Sequence, residues 1–396
     1  MNRQWTRRRG GCHLVAWLVA AAVFRFGLVP PETCPPVSVE RVDLAVEAAA
    51  GWAIDNLGPD GRFLYAYDRT TETVSGDYNL PRHAGMTNAL FQAVVADRPH
   101  LLSGADASLE YMLDNLLEHD DWVAFAVSGR PVKVGSTGLF VAALVHRRQA
   151  TGDTRHDAMI EAGARFLTYQ QESDGAVLGF WSRSDETPIP DRYGPFATGE
   201  AMWGLALAGT VFPDAGFTEA ARLTGAYIAT DRRSNEGLMF RLPDHWAAYG
   251  FDTLGGPATP AETEYLERLA GEFALMTRVE STRADNGLQG TLRFGHALGA
   301  GLGALGEGVS GMYRMSARGV VLEQDQASLA GHLACIGSML VDRQVSAGDA
   351  VDSPHPEFVV GAWFRDDRTQ VDDQQHTLSS LLTVREAMAW LEREPA

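Results

Sequence analysis

The first group of residues suited to acid–base chemistry lies near position 80, where Tyr78, Asn79, Arg82 and His83 surround Pro81. Proline is favoured in the first turn of a helix, because its missing N–H has no partner to lose there. Arg82 and His83 would then lie in that turn. A first-turn arginine is unfavourable against the helix dipole, which indicates that Arg82 is held there for a ligand or for a carboxylate of a neighbouring helix.

A second group surrounds Glu200, which is the only carboxylate in residues 193–211. Burial against Phe196 and Trp203 would raise the pKa of Glu200 and suit it to general acid catalysis. The alternative is a structural role in capping the helix that follows. Tyr193 and Trp203 are candidate substrate contacts.

A third group, Asp244-His245-Trp246, lies at the predicted start of a helix. The flat face of Trp246 could pack on a sugar ring, and the imidazole of His245 could bind a hydroxyl group. The alternative is that these side chains belong to the core.

The fourth group, residues 361–376, is dense in functional groups and leads directly into an apolar helical stripe. Asp372 and His376 are four residues apart and would share a helix face, so that the carboxylate could orient the imidazole. One of Asp372 and Asp373 is expected to cap the helix, leaving the other for the pocket. Further candidate contacts in this segment are Trp363, Arg365 and Gln375.

The elements that must position these groups are mostly helical. Apolar spacing predicts helices at about 44–56, 84–96, 106–118, 136–151, 155–171, 197–211, 217–230, 260–280, 296–308, 322–345 and 374–392, with short hairpins near 62–67 and 176–181. Helices charged on one face suit an outer ring, and helices rich in Gly and Ala suit an inner ring. The alternation predicts an all-α fold, an (α/α)6 barrel or toroid with short β-hairpins in the connections. An irregular helical solenoid is the alternative.

The N-terminal segment has a different composition. Basic residues precede an apolar run from Leu14 to Phe24 and a Pro-rich stretch, the order typical of an export signal or membrane anchor. We therefore predict a signal or anchor with its linker at 1–37, in contact with the membrane, and a toroid domain at 38–396 outside the cytoplasmic membrane. Cys34 and Cys335 could form one disulfide bridge.

The net charge of −18 would repel nucleic acid phosphates, so nucleic acid binding is not expected. The sequence contains no phosphate-binding loop, dinucleotide motif or paired Cys/His zinc pattern. No metal or other cofactor is therefore predicted.

The groups Tyr78-Asn79-x-x-Arg82-His83, Gly199-Glu200-Ala201 and Asp372-x-Gln374-x-His376 resemble motifs of bacterial six-hairpin toroid proteins, in the superfamily of six-hairpin glycosidases and terpenoid-cyclase-like toroids. The resemblance covers residues 40 to 392. It implies a central pocket lined by these groups. In a hydrolase of this kind two carboxylates act as acid and base, which would be Glu200 and Asp373.

Three functions remain open on this basis. The first is a glycoside hydrolase of the cell envelope or exterior, acting on a glycan. The second is a polysaccharide lyase or uronate epimerase, in which Arg82 neutralises a substrate carboxylate and Tyr78, His83 or His376 moves a proton. The third is a glycan-binding or scaffold toroid without catalysis.

Overall fold

The computed structural model describes residues 3–23, 32–236, 244–282 and 299–393. The α-helices of this part of the chain are α1 (Arg3–Ala22), α2 (Val39–Asp55), α3 (Leu80–Val95), α4 (Leu102–Leu113), α5 (Val134–Thr151), α6 (Asp157–Tyr169), α7 (Ala197–Val211), α8 (Phe217–Thr230), α9 (Arg232–Asn235), α10 (His245–Thr253), α11 (Pro260–Ser281), α12 (Gly299–Ala317), α13 (Gln326–Arg343) and α14 (Val371–Arg393). Short 3-10 helices lie at Pro99–Leu101, Glu323–Asp325 and Pro356–Phe358.

Six helices form a closed inner ring. Each contacts the next, and the last contacts the first, in the order α3, α5, α7, α10, α12 and α14. The helices α2, α4, α6, α8, α11 and α13 alternate with them along the chain and pack outside. Since each inner helix is followed by an outer helix that returns, the six inner helices run parallel and start at the same end of the ring. This arrangement confirms the predicted (α/α)6 barrel.

Small residues allow the inner helices to pack closely. A Cβ atom at Gly138 of α5 would lie 2.5 Å from the backbone oxygen of Glu200 in α7. At Gly303 of α12, a Cβ atom would lie 2.5 Å from backbone atoms of His376 and Thr377 in α14. Any larger residue would therefore push the helices apart, which explains the Gly- and Ala-rich composition of the inner ring.

Short strands lie in the connections that lead from an outer to an inner helix. They are β1 (Ala66–Asp68), β2 (Thr73–Val74), β3 (Leu116–His119), β4 (Trp122–Phe125), β5 (Val132–Lys133), β6 (Phe180–Ser182), β7 (Thr187–Pro188) and β8 (Arg368–Gln370). They form three small antiparallel sheets, ordered β2-β1-β8, β3-β4 and β5-β6-β7. The pairing of β1 with β8 joins the first of these connections to the last, at the end of the ring where the inner helices begin.

Two predicted elements differ in the structure. The helix expected at 106–118 ends at Leu113, and Leu116–His119 pairs as a strand instead. The start of α10 was predicted at Asp244-His245-Trp246, but the helix was not among the segments predicted from apolar spacing, since its nine residues are too few for a clear apolar period. It is fixed by Asp244, whose side chain accepts a hydrogen bond from the Ala247 N–H at 3.1 Å. Residues 296–298 of another predicted helix lie outside the described part.

The N-terminal helix α1 precedes the ring. None of the described helices combines the length and the apolar character that a membrane crossing requires. Within the Pro-rich stretch, Cys34 forms a disulfide bond with Cys335 in the outer helix α13. The bridge that the cysteine positions allowed is therefore present, and it joins the segment before the toroid to the last outer helix.

Candidate active site

A buried polar cluster of the inner ring is built on Glu307 of α12. One carboxylate oxygen of Glu307, Oε2, lies 2.5 Å from Nδ1 of His376 in α14, and the other accepts a hydrogen bond from Gln375 Nε2 at 3.2 Å. Burial alone lowers the pKa of His376, but the adjacent Glu307 carboxylate outweighs it and raises that pKa to about 9. Burial also raises the pKa of Glu307. The cluster thus holds an imidazolium against a buried carboxylate.

His245 brings a second imidazole to the same carboxylate. Its Nε2 lies 3.6 Å from Glu307 Oε2, and its ring meets that of His376 edge to face with centroids 5.0 Å apart. Trp246 packs on both imidazoles and stacks on Trp203 of α7, at centroid distances of 4.5, 5.6 and 5.4 Å. These aromatic rings form one wall of the site and fix the imidazole planes.

The position of His245 depends on a buried ion pair behind it. Arg232 donates to the Asp244 carboxylate and to Glu236, and it also donates to the Pro195 carbonyl at 3.3 Å. Asp244 in turn caps α10, the helix that begins at His245. The network therefore sets the helix start that carries the second imidazole.

Asp372 lies between two cationic side chains at the start of α14. Its carboxylate is 3.4 Å from Arg82 Nε and 3.7 Å from His376 Nε2. Arg82 also donates to the Tyr65 hydroxyl and to Gln370 Oε1, both at 2.6 Å. Two of the three guanidinium nitrogens thus have protein partners, and Asp372 remains partly exposed, with a quarter of its side chain accessible.

Glu200 of α7 lies across the ring from this pair. Its carboxylate rests over Gly135 in the first turn of α5, where a methyl group would overlap Oε2. No group among the described residues donates a hydrogen bond to it. Burial raises the pKa of Glu200 to about 7, with opposing contributions from His376, which lowers it, and Asp372, which raises it. Glu200 is therefore a buried carboxyl group that exchanges its proton near neutral pH.

Three of these side chains could hold a divalent cation. One donor atom from each of His245, Glu307 and His376 lies within 4.8 Å of the others, and all three residues are buried. Ligands of one tetrahedral zinc ion stand about 3.3 Å apart when each bond is about 2.0 Å. The 2.5 Å contact between His376 and Glu307 is shorter, so it is a direct hydrogen bond.

Asp373, the residue assigned as base from the sequence, is held by the backbone at the starts of two inner helices. It is buried, and its two carboxylate oxygens accept backbone N–H groups of Ala300 at 2.8 Å and Gln370 at 3.0 Å. Burial raises the pKa of Asp373 to about 6, which these hydrogen bonds partly oppose. Asp373 thus fixes the starts of α12 and α14, while its neighbour Asp372 faces the site.

Three candidates near position 80 also lie apart from the ring centre. His83 is fully buried between α3 and α4, where it contacts the Tyr78 hydroxyl at 2.6 Å and the Ser108 carbonyl at 2.9 Å. Burial lowers the pKa of His83 to about 4. Tyr78 also accepts the Phe63 N–H at 3.0 Å, and Asn79 occupies the N-cap position of α3. These groups support the helix that carries Arg82.

The other three candidates lie at the rim, in the core and on the surface. Tyr193 donates to Glu172 at 3.2 Å. Trp363 is buried and donates to the Leu340 carbonyl at 2.8 Å, beneath the outer helix α13. Arg365 is exposed. The structure therefore brings eight of the candidates together at the ring centre: Arg82, Glu200, Trp203, His245, Trp246, Asp372, Gln375 and His376.

Glu307 is the main group that sequence reasoning missed. It is the only charged residue in the stretch 299–313, just as Glu200 is the only carboxylate in 193–211. A single charged residue in an otherwise uncharged, Gly- and Ala-rich helix was thus a signal that could have identified both residues as candidates. Tyr65 and Gln370, which hold Arg82, came from connections with no comparable signal.

A surface groove of about 410 Å³ lies in the connection between α2 and α3. Its walls include Tyr65, Tyr78, Asp60 and Arg62. The Tyr65 hydroxyl is bound by Arg82, so one wall of the groove is linked through Arg82 to Asp372. Aromatic faces with polar edges are suited to carbohydrate rings.

No protein-family model matches the sequence, and no curated protein shows significant similarity to it. The fold is similar to that of solved structures. An unsaturated glucuronyl hydrolase specific for heparin aligns with a TM-score of 0.61 and 10% identity, over 89% of this chain and 99% of that one. A cellobiose 2-epimerase from Spirochaeta thermophila aligns with a TM-score of 0.61 and 14% identity, over 89% and 97% of the two chains.

An inactive variant of an α-1,6-mannanase of Salegentibacter sp., in complex with α-1,6-mannotetrose, aligns with a TM-score of 0.60 and 12% identity, over 87% of this chain and 99% of that one. The chain has the six-hairpin toroid fold. At these identities the likeness concerns architecture, so the chemistry of the toroid must be argued from its own side chains.

Proposed function

We propose that the toroid is a carbohydrate-active enzyme that hydrolyses a glycosidic bond at the centre of its inner ring. The observation that carries the proposal is the contrast between two carboxyl groups. Glu200 is buried with a pKa of about 7, whereas Asp372 is partly exposed and lies between Arg82 and His376. Two carboxyl groups held in such different environments are suited to the separate roles of acid and base.

In this mechanism Glu200 donates its proton to the glycosidic oxygen as the bond to the anomeric carbon breaks. Asp372 accepts a proton from the water that attacks that carbon, and the products are two sugars with one water consumed. The cations beside Asp372 hold it in place through both steps. Asp372 therefore takes the base role that the sequence had suggested for Asp373, whose oxygens are engaged with the backbone.

The likeness to hydrolases of the same fold supports a glycan substrate, and so does the groove whose Tyr65 is bound by Arg82. In a scaffold toroid without catalysis, Glu200 and Asp373 would be expected to take part in internal ion pairs. Among the described residues neither carboxylate has an arginine within ion-pair distance. This observation favours an enzyme over a scaffold built from internal ion pairs.

The test is a glycan library incubated with the full chain, with products identified by mass spectrometry. On any glycan that is cleaved, E200Q and D372N should lower kcat at least 100-fold while both variants keep the folded structure. D367N is the matched control, since Asp367 is exposed and pairs with Arg69 outside the ring. Full activity of E200Q would exclude the mechanism, and glycan retention without cleavage would indicate a binding toroid.

A second candidate is a sugar epimerase or isomerase, which the paired imidazoles favour. Proton transfer α to a carbonyl needs a base and an acid near one carbon atom, and His245 and His376 lie together on Glu307. The uronate chemistry drawn with Arg82 is less suited, because Asp372, Tyr65 and Gln370 engage that guanidinium. Incubation of free aldoses in D2O tests the candidate. Deuterium at C2 would support it, and its absence for every aldose would reject it.

We also propose that the protein is exported or anchored with the toroid outside the cytoplasmic membrane. The basic and apolar N-terminal order and the Cys34–Cys335 disulfide support this location, because disulfides persist in oxidising compartments. Fusion of the full chain to a reporter enzyme that is active only after export tests it. An inactive reporter, with the fusion recovered from the cytoplasm, would reject the location.

A further inference from the structure

A groove of about 480 Å³ lies beside the Cys34–Cys335 bridge and shares no residue with the proposed active site. It is lined mainly by the segment before α2 and by the outer helix α13. Both cysteines contribute to its walls, together with Glu32, Ser328 and His332. The groove thus combines two sulfur atoms, a carboxylate and an imidazole, which are the usual metal-binding groups of proteins.

The spacing of these residues brings their side chains together. His332 and Cys335 are three residues apart in α13, so they share a helix face. Glu32 and Cys34 are alternate residues of the segment before α2. One donor atom from each of Glu32, Cys34 and Cys335 lies within 4.8 Å of the others. Two pairs of potential ligands therefore meet where the segment contacts the helix.

Glu32 and His332 make a second link between the same two parts of the chain. His332 Nδ1 lies 2.6 Å from Glu32 Oε1, and both atoms are buried. Neither atom is aligned for a hydrogen bond within the described part of the chain. The other imidazole nitrogen, Nε2, lies 3.4 Å from the Ser328 hydroxyl. A polar contact on one ring nitrogen commonly orients a histidine that binds a metal through the other, which here is Nδ1.

The segment before α2 is held in place by contacts other than the disulfide. The Thr33 N–H donates a hydrogen bond to Ser281 Oγ of α11 at 3.2 Å. Val37 packs against the hydrophobic core, and the Ser38 hydroxyl caps α2. These contacts would keep the Cys34 thiol beside α13 after the disulfide is reduced.

We propose that the protein with its disulfide reduced binds one zinc ion through Cys34, Cys335, His332 and Glu32. Two thiolates, one imidazole and one carboxylate form a ligand set that suits tetrahedral zinc. With Zn–S bonds of about 2.3 Å, two sulfur ligands stand about 3.8 Å apart, so side-chain rotation must separate the sulfur atoms. No metal was predicted from the sequence, because Cys34 and Cys335 are 301 residues apart.

Zinc and the disulfide bond are alternative links between the segment and α13. A phosphine reductant converts the disulfide and one water molecule to two thiols and a phosphine oxide. Zinc binding then releases the two thiol protons to solvent, and the thiolates become ligands. Newly synthesised chains carry both cysteines as thiols, so the zinc form would precede the disulfide form.

The test compares the oxidised full chain with the same chain reduced by tris(2-carboxyethyl)phosphine. Only the reduced protein should bind zinc at this site, with one ion per chain measured by competition with a chromophoric chelator. Cobalt(II) should give the charge-transfer absorption of metal-bound thiolate and the intense visible bands of a tetrahedral ion. The sulfur band distinguishes this site from the cluster at the ring centre, which is His245, Glu307 and His376. Equal zinc affinity in both redox states, or cobalt binding without the sulfur band, would overturn the inference.

Substitutions test the individual ligands. Outer-shell groups contribute factors of about 10–100 to metal affinity, and a direct ligand should contribute more. C335S and H332A should therefore weaken zinc binding by about 100-fold or more, and S328A by about tenfold. H355A is the matched control for H332A, because His355 pairs with Glu357 at 3.1 Å on the surface. Full zinc affinity in folded H332A would reject the mixed-ligand site.

Thermal unfolding gives a second measurement. In the presence of a chelator, the reduced protein should melt at the same temperature as C34S. Added zinc should raise the midpoint of the reduced wild type and leave C34S unchanged, because a ligand that binds only the folded state stabilises it. A zinc effect of equal size in C34S would show that the ion binds elsewhere, and the inference would fail.

Discussion

His376 and Glu307 form a buried pair in which Nδ1 of the imidazole lies 2.5 Å from Oε2 of the carboxylate, across the seam between α14 and α12. The contact fixes which ring nitrogen faces the protein and leaves Nε2 toward Asp372. Gln375 holds the second carboxylate oxygen of Glu307. One buried carboxylate thus orients the main imidazole of the site.

Removal of the Glu307 charge should make His376 an ordinary buried histidine. In E307Q the pKa of His376 should fall from about 9 to below 7, because burial then acts without the opposing carboxylate. Imidazole NMR titration measures the change. E172Q serves as control, since Glu172 binds Tyr193 at the rim. A His376 midpoint that stays near 9 in E307Q would show that other charges hold the proton.

Replacement of Glu200 by glutamine should stabilise the fold at alkaline pH. The folded pKa of about 7 lies above the ordinary 4.5, so protonation favours the folded state, and stability is lost as the pH rises through this window. At ~1.4 kcal/mol per pKa unit, the ionised carboxylate costs on the order of 3 kcal/mol at pH 8. Urea unfolding of E200Q should show that gain at pH 8 and none at pH 4. A gain that is equal at both pH values would contradict this origin.

A methyl group at Gly135 should displace the proposed acid without unfolding the protein. Its Cβ would overlap Glu200 Oε2, the mobile end of a side chain, so G135A should fold but lose at least tenfold in kcat. G271A is the control, because a Cβ there meets nothing within 4 Å. Wild-type kcat in G135A would show that the position of Glu200 is not critical.

The adjacent residues Asp372 and Asp373 should respond in opposite ways to alanine. D373A leaves two backbone N–H groups without an acceptor and should lower the free energy of unfolding by about 1–2 kcal/mol, while the folded protein keeps most of its activity. D372A should remove activity with a smaller loss of stability. Denaturant unfolding and initial rates on the same samples decide this. A folded, inactive D373A beside an active D372A would restore the assignment made from the sequence.

The Cys34–Cys335 bridge should contribute measurably to stability, because it closes a loop with a sequence separation of 301 residues. C34S should lower the free energy of unfolding by about 2–5 kcal/mol, and a reducing agent should bring the wild type to the same value. C12S should behave as wild type, since Cys12 takes no part in the bridge. Identical melting of C34S and wild type would show that the linker adds no constraint.

The sequence predicted the toroid because alternating charged and Gly/Ala-rich helices carry a local signal for outer and inner positions. The sequence was less informative about the direction in which individual side chains point. Arg82 and His83 are neighbours, yet successive helical residues differ by about 100° around the axis, so one faces the ring centre and the other faces α4. Which of Asp372 and Asp373 is available to the site depends on Ala300, 73 residues earlier, whose N–H donates a hydrogen bond to the Asp373 carboxylate. Such long-range partners leave no trace in the local pattern.

The contact between α14 and α3 means that the toroid has no terminal repeat. An open stack of hairpins can unravel from either end, one unit at a time. In the closed ring, unfolding of any one hairpin exposes apolar surface on both neighbouring hairpins. Partial unfolding is therefore unfavourable at every position of the ring. We therefore expect denaturation in one cooperative step. A circular permutant with its new termini in the short turn at 152–156 should fold, since the contacts around the ring, and not the order of its segments along the chain, stabilise the fold.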